Sequence, residues 1–288
     1  MATLPKSLPA AGLLGFRDVD CVQDPLAYAT FLDQFAASFC EMIATGLDLL
    51  RVKPASTVFD LGCGHGAVFP SLAARVGAGG RIVGLDASQA LLAQGRMRFE
   101  GSGLPVEFHR GDAHALPFAD GGFSAVRADR VFIFLREPQV AFGELLRVTQ
   151  PGGRVVITES DLETAAVDAA DVRTTCALIA TMADQMPNGR IGRQLRAMFI
   201  DAGLEEVDVR LFPINSTSFA EWNNRVGAEG ALRIAVDQGR VAQAKAAAWI
   251  KEQEAREAAN RFLATGMFFM VSGTKPGGGR PLLEDGAA

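Results

Sequence analysis

Four acids and a glycine run recur at a spacing that suits ligand binding. Asp60 stands just before Gly62, Gly64 and Gly66; Asp86 follows Gly62 by 24 residues, Asp112 follows Asp86 by 26, and Asp129 comes later. Each acid ends or follows a short apolar run. A carboxylate offers several acceptor positions and a negative charge, so it can take both hydroxyls of a diol, an exocyclic amine or an ammonium. Glycine takes positive φ freely and lets a ligand approach the backbone where a Cβ would block it. A helix starting directly after such a turn contributes unpaired N–H groups and a partial positive charge. The pattern reads as a site for a small polar ligand.

The elements that must position these residues alternate along the chain. Leu26, Phe31, Leu32, Phe35, Phe39, Ile43, Leu47 and Leu50 recur at helical intervals, so one or two helices precede the glycine turn. Thr57–Phe59 reads as a strand into Asp60, Val68–Val76 as a helix, Arg81–Asp86 as a second strand, and Ser88–Phe99 as a helix with Ser88 as N-cap. Strands at 105–109, 124–128 and 154–158 follow, with a helix at 138–148 before the last of them; Glu159, Ser160 and Asp161 end the fifth strand. Helices at 172–186 and 194–202, a sixth strand at 207–212, a largely helical, alanine-rich stretch at 219–264 and an apolar strand at 267–272 that closes the sheet complete the chain. Five such alternations predict an α/β fold, a Rossmann-like, doubly wound, mostly parallel sheet with right-handed crossovers and helices on both faces. Ligands in such sheets bind beyond the carboxyl ends of the strands, where the acids stand. Residues 1–15 are expected to be a flexible N-terminus, 16–275 a single domain with a helical N-terminal cap and a helical insertion at 219–264, and 276–288 a loose tail.

Composition narrows the partners. The chain has 288 residues, a formal charge of −5 and an apolar fraction of 49%, as expected of a globular protein able to bury a large core. An acidic balance argues against nucleic acid as the main partner. No stretch approaches the ~18 apolar residues of a membrane span, and a cytoplasmic location is expected. Cys21, Cys40, Cys63 and Cys176 lack CxxC spacing, and His65, His109 and His114 are isolated, so no metal site is expected. Self-association into a homo-oligomer is left open.

Two cofactors fit the glycine turn. Gly62-x-Gly64-x-x-Ala67 satisfies a permissive dinucleotide fingerprint, with Asp86 at about the distance of a ribose-binding acid. Against a nicotinamide or flavin cofactor stand Asp60, where an apolar residue is usual, the length of chain before the first strand, and the additional acid Asp112. S-adenosylmethionine needs a partner for its ammonium, an acceptor for the ribose diol and a contact for adenine, and its sulfonium favours a negative neighbourhood. Asp60, the turn, Asp86 and Asp112 answer those needs in order.

Phe59-Asp-Leu-Gly-Cys-Gly-His-Gly66, Gly84-Leu-Asp86, Gly111-Asp-Ala-x-x-Leu-Pro117-Phe and Glu144-Leu-Leu-Arg-Val-Thr-Gln-Pro-Gly-Gly153 resemble the class I S-adenosylmethionine-dependent methyltransferases, most closely the small-molecule branch of ubiquinone and menaquinone biosynthesis. The likeness covers about residues 50–160, and the strand at 267–272 is similar to the antiparallel last strand of that seven-stranded fold. The resemblance implies that Asp60, Gly62, Cys63 and Gly64 hold the methionine portion, that Asp86 binds the ribose, that Ala87 packs near the adenine and that Asp112 and Ala113 bind its edge. It also implies that Asp129 lies beside the methionine portion and that Tyr28, in a segment that closes over the cofactor in relatives, makes a contact. Ser124 departs from the family, which often has Asp there.

The implied reaction is in-line transfer of a methyl group to carbon or oxygen of a hydrophobic small molecule, driven mainly by positioning. Phe16, Arg130, Phe132 and Phe134 are expected to meet the acceptor, with Phe212 and Trp222 as further apolar candidates and Arg17 or Arg193 available for an acidic group. Should the acceptor have to lose a proton, Glu159 is the expected base, ahead of Asp161 and His114. A fold that binds the cofactor without transferring its methyl, as a cyclase or regulatory protein, would carry the same cofactor residues.

Overall fold

The helical spacing before the glycine turn yields two helices in a computed structural model that describes residues 12–277. Two short 3-10 turns, Gly12–Arg17 and Val19–Cys21, lead into α1 (Pro25–Ser38) and α2 (Cys40–Leu49). Pro25 occupies the first turn of α1, where a missing N–H costs nothing, and Asp24 caps it by accepting from the N–H groups of Leu26 and Ala27 at 3.1 and 3.2 Å. The alternation that follows is β1 (Thr57–Leu61), α3 (Phe69–Val76), β2 (Arg81–Asp86), α4 (Gln89–Phe99), β3 (Val106–Arg110), β4 (Phe123–Asp129), α5 (Pro138–Val148) and β5 (Thr149–Val167). Then come α6 (Val172–Asp184), α7 (Ile191–Asp201), β6 (Glu205–Ser216), α8 (Phe219–Val226), α9 (Ala228–Asp237), α10 (Gln243–Ala258) and β7 (Ala264–Thr274). Residues 1–11 of the expected flexible N-terminus and 278–288 of the expected loose tail lie outside the described residues.

The seven strands order as β3-β2-β1-β4-β5-β7-β6. Strands β1 to β5 are parallel, and β7 runs antiparallel to both β5 and β6. The last strand therefore does not close the sheet; it inserts between β5 and β6 and leaves β6 at the edge. Its near-continuous burial, with Phe268, Met270 and Val271 inaccessible, fits an interior strand, whereas β6 is exposed along much of its length.

Strand β5 is the larger departure from the sequence reading. It runs nine residues past the expected end at Thr158, because β7 continues to pair with it: Glu159 opposite Phe269, Asp161 opposite Met267 and, after a register shift, Val167 opposite Ala264. The polar run Glu159-Ser-Asp hides this continuation, since its hydrogen bonds come from a strand a hundred residues away.

Helices cover both faces. Phe59, Val126 and Ile157 pack with Phe142, Leu145 and Phe199 of α5 and α7 on one side, and Val58, Ile82 and Val156 with Phe35, Met42 and Leu72 of α1 to α3 on the other. Phe219, Trp222, Trp249 and Phe262 form a third apolar cluster that joins α8 to α10 with α6. Each fully buried Leu, Val or Phe contributes roughly 1.5–3 kcal/mol, so the sheet centre is rigid enough to hold loops at its carboxyl edge. Among the described residues no helix is long and apolar enough to cross a membrane.

Candidate active site

The glycine turn is held from below by β2. The N–H groups of Gly62 and Cys63 donate to the carbonyl of Leu85 at 2.8 and 3.2 Å, and Gly64 N–H donates to Asp86 Oδ2 at 2.8 Å. Gly62 and Gly64 have φ of +68° and +56°, and a Cβ on Gly62 would lie 2.2 Å from Val131 Cγ2, so neither conformation nor space admits a side chain. Asp86 Oδ1 accepts from Ser88 N–H at 2.9 Å, which leaves lone pairs on both oxygens for a further donor. Burial raises the Asp86 carboxyl above its ordinary range while the backbone donors draw it back.

Beside the turn runs a chain of alternating charges. Arg127 Nη1 donates to both oxygens of Asp60 at 2.9 and 3.0 Å, Arg127 Nη2 donates to Asp129 Oδ2 at 3.1 Å, and Arg130 Nε donates to Asp129 Oδ1 at 3.0 Å. The Arg130 guanidinium then lies 3.5 Å from the centre of the Phe35 ring, a cation–π contact with α1. Burial lifts the Asp60 carboxyl to about 6 against the pull of Arg127, so it is ionised at neutral pH. Arg127 is absent from the sequence reading. Its signal is a lone cation inside the apolar run of a central strand, where an unpaired charge would be prohibitive and a partner is required.

The strand order lays these residues along one edge. Passing from β3 to β4, Asp112, Asp86, the glycine turn and Asp129 stand at successive strand ends. Because β7 is antiparallel, its beginning lies at the same edge as the ends of β5 and β6, so residues 160–165, 214–216 and 264–268 continue the row. A cavity of about 620 Å³ runs along this row, within the ~300–1,000 Å³ of small-molecule sites. Asp60, Gly62, Cys63, Gly64, Asp86, Ala87, Asp112, Ala113 and Asp129 all line it, as do Phe16, Arg17, Arg130, Phe134 and Trp222. On the β5–β6 side the wall is largely apolar, with Leu162, Met182, Met186 and Met267.

Helix α1 and the segment before it roof the acid-lined side, with Phe31, Leu32 and Phe35 in the wall. Two acids pin this roof. Asp20 accepts from Ser88 Oγ at 2.6 Å and from the N–H groups of Gln89 and Ala90 at 2.8 and 3.0 Å, capping α4 from a remote segment. Asp33 Oδ1 lies 3.0 Å from His65 Nε2 and 2.7 Å from Arg98 Nη1, tying α1 to the glycine turn. Burial holds the His65 imidazole below its ordinary value. Neither acid is marked by local pattern, since both partners are distant in sequence.

Several expected site residues lie elsewhere. Glu159, the expected base, is fully buried and absent from the cavity wall; its Oε1 accepts from the N–H groups of Phe132 and Ile133, and burial lifts its carboxyl to about 8. It holds the 131–134 turn rather than facing the cavity. Phe132 is inaccessible and packs on Phe142 in the core, because the turn directs Ile133 and Phe134 to the cavity instead. Tyr28 lies behind the wall, its ring edge-on to Phe16 at 4.7 Å. Arg193 does not line the cavity; it pairs with Asp161, at 2.7 Å from Nη2 to Oδ1, and with Glu163. Phe212 packs into the core beneath, and His114 is held by Asp112 through Nδ1 at 2.6 Å. Ser124 Oγ donates to the carbonyl of Thr57 at 3.0 Å, a structural bond between β4 and β1. Among the described residues no group of His, Cys, Asp and Glu could hold a metal ion.

A methyltransferase-domain family model matches residues 59–157, the stretch that builds the acid-lined half of the cavity. An uncharacterised methyltransferase of Schizosaccharomyces pombe is 32% identical over 197 residues, which cover 62% of this chain and 69% of that protein. The demethylmenaquinone methyltransferase of Thermus thermophilus is 40% identical over 113 residues, 39% of this chain and 51% of that enzyme. The chain spans about half the length of most of the curated relatives it matches. A candidate methyltransferase of Bacillus halodurans, known from its crystal structure, superposes with a TM-score of 0.59 at 20% identity, over 82% of this chain and 99% of that one, which shows the shared fold. Sheet order, glycine turn and kinship agree: the chain belongs to the class I S-adenosylmethionine-dependent methyltransferases.

Proposed function

We propose that this protein transfers a methyl group from S-adenosylmethionine to carbon or oxygen of a hydrophobic small molecule of quinone type, in the cytoplasm. The observation that carries the reading is the continuity of the cavity: one space joins an acid-lined half at β1 to β4 with an apolar half at β5 to β6. The quinone class is suggested by the menaquinone relative and by the apolar wall.

The residues present fit the cofactor. Asp86 keeps acceptor capacity beside a turn whose backbone is bare of side chains, suiting a ribose diol against a close-packed backbone. Asp112, with an exposed carboxylate at the next strand end, suits an adenine edge, with Ala87 and Ala113 in the same wall. Asp60 and Asp129, partly neutralised by Arg127, surround the place for an ammonium with negative charge without leaving either carboxylate unpaired. When bound, the cofactor supplies a methyl group already activated on a sulfonium. The chain then has to exclude water and align the acceptor, and the roof of α1 and the 131–134 turn do so. Alignment of this kind is worth up to roughly 7–11 kcal/mol. No carboxylate in the apolar half is free for proton transfer among those described: Asp161 is held by Arg193 and Glu159 faces the 131–134 turn.

Calorimetry with S-adenosylhomocysteine and NAD tests the cofactor; tight binding of NAD and none of S-adenosylhomocysteine would sink the proposal. Incubation with methyl-labelled cofactor and a panel of phenols, quinols and keto acids tests transfer. Label on an organic acceptor supports it, whereas cofactor binding with no label transferred to any of them favours a non-methylating role.

A further inference from the structure

The two tryptophans of the chain share one apolar cluster, on α8 and α10, with ring centres 6.5 Å apart, and their polar atoms are treated differently. Trp249 is inaccessible, and its indole N–H donates to Thr175 Oγ1 at 2.9 Å. Trp222 is 5% exposed and stands in the wall of the apolar half of the cavity. Its indole N–H meets no acceptor among the described residues, and its nitrogen is not one of the buried polar atoms shut off from open space. A tryptophan packed in a core normally finds a partner for that N–H, because an unmet donor there is destabilising. Asn215 stands in the same wall, half-buried near the end of β6 and three residues before Ser218, the N-cap of α8. Its side-chain amide likewise bonds to none of the described residues.

An indole N–H can only donate, and an amide NH2 donates twice, so the group that suits both is an accepting oxygen. Neither donor is charged, and the cation of the next turn of α8, Arg225, already has a partner in the chain. Among Leu162, Met182, Met186 and Val226 an ionised oxygen would lose its hydration without a counter-charge, whereas a neutral one loses little. We propose that the methyl acceptor is a neutral carbonyl compound, an apolar ring system whose ketone or quinone oxygen accepts from the Trp222 N–H and the Asn215 amide. This oxygen is not the reacting centre, because Trp222 and Asn215 stand on the β6 side of the cavity and the glycine turn and acids on the side of β1 to β4. The two bonds therefore decide which edge of the ring is turned towards the cofactor. The inference rests on the reading of the apolar half as the acceptor site.

The test uses the full chain saturated with S-adenosylhomocysteine and titrated by calorimetry with matched pairs, 2-acetylnaphthalene against 2-ethylnaphthalene and 1-tetralone against tetralin. Trp222→Phe keeps an aromatic ring and lacks the N–H, so the affinity of at least one ketone relative to its hydrocarbon is expected to fall about fivefold, and about threefold in Asn215→Leu. A ratio unchanged in either variant overturns the inference, as does failure of both ketones to bind. Nitrogen-15 spectra of the otherwise unaltered protein give a second readout. Of its two indole N–H signals, the one that Thr175→Val leaves in place belongs to Trp222, and it is expected to move downfield with a ketone and not with the matched hydrocarbon. Should circular dichroism show that Trp222→Phe does not fold, a Trp222 signal that responds alike to both members of each pair overturns the inference equally. Wild-type protein that fails to bind S-adenosylhomocysteine removes the parent reading and this inference together; binding it without distinguishing ketone from hydrocarbon at Trp222 removes the inference alone.

Discussion

The two halves of the cavity are built on opposite principles. The acids of the β1–β4 half come from one contiguous stretch, residues 60–129, where each stands at or just past the end of its own strand, with α1 as a roof over them. The β5–β6 half is mostly apolar and gathered from separated places along the chain, from Phe16 to Phe268. A bound charge distribution can be specified locally, by backbone and by acids at strand ends, whereas an apolar cavity exists only where distant surfaces fail to meet. On the proposed function, the first half serves a constant cofactor and the second a variable acceptor. Glu159 sits at the seam, holding the turn that contributes Val131 to the first half and Phe134 to the second.

The largest expected effect breaks the polar half. Arg127→Met leaves the buried carboxylates of Asp60 and Asp129 without their shared cation and should cost about 3–5 kcal/mol of stability, read as a lowered urea midpoint at neutral pH. A variant as stable as wild type would mean that the charges are not a buried network. The seam is tested by pH. The folded-state carboxyl of Glu159 is raised to about 8 from 4.5, so the folded protein holds a proton that the unfolded chain releases. The stability tied to this group is fully present below about pH 4.5 and is lost as pH rises towards 8; Asp60, raised to about 6, acts in the same direction at the acidic end of the window. Glu159→Gln should flatten the fall in stability between pH 5 and pH 8, on the order of a few kcal/mol in wild type, and a slope unchanged in denaturant titrations would remove Glu159 from that role.

Two smaller effects sharpen the division. Asp86→Ala should weaken S-adenosylhomocysteine binding by about 1–3 kcal/mol, the cost of a charged partner lost to hydroxyl groups; unchanged affinity by calorimetry would place the ribose elsewhere. Met186→Ala, half-buried on the apolar side, should leave that affinity within about twofold, as befits a distant site, while reducing transfer to apolar acceptors. Equal losses of cofactor and acceptor binding would show that the halves are not separable.

Much of the polar half was legible in the sequence because its geometry is periodic. In a parallel sheet each strand–helix–strand unit returns the chain to the same edge, so the 24- and 26-residue spacings carried Asp86 and Asp112 there without knowledge of their neighbours. Ser88 as the N-cap of α4 followed from local chemistry in the same way. What lay hidden depended on a facing direction or a distant partner. Phe132 and Ile133 are adjacent, equally apolar and both buried, yet only Ile133 also reaches the cavity wall, and only the turn held by Glu159 distinguishes them. Tyr28 lies behind Phe16 rather than on the cavity because α1 presents Phe31, Leu32 and Phe35 to it.

By itself the sequence determined the alternating sheet, the turn at 62–66 and the acids at the strand ends, since hydrophobic period, glycine conformation and strand-end spacing act over a few tens of residues. Tertiary structure alone decided that β5 extends to Val167, that Arg127 neutralises two acids, and that α6, α8 and the start of β7 enclose a mostly apolar space. Those features come from contacts between segments up to a hundred residues apart, and no local pattern encodes which face such segments will turn towards one another.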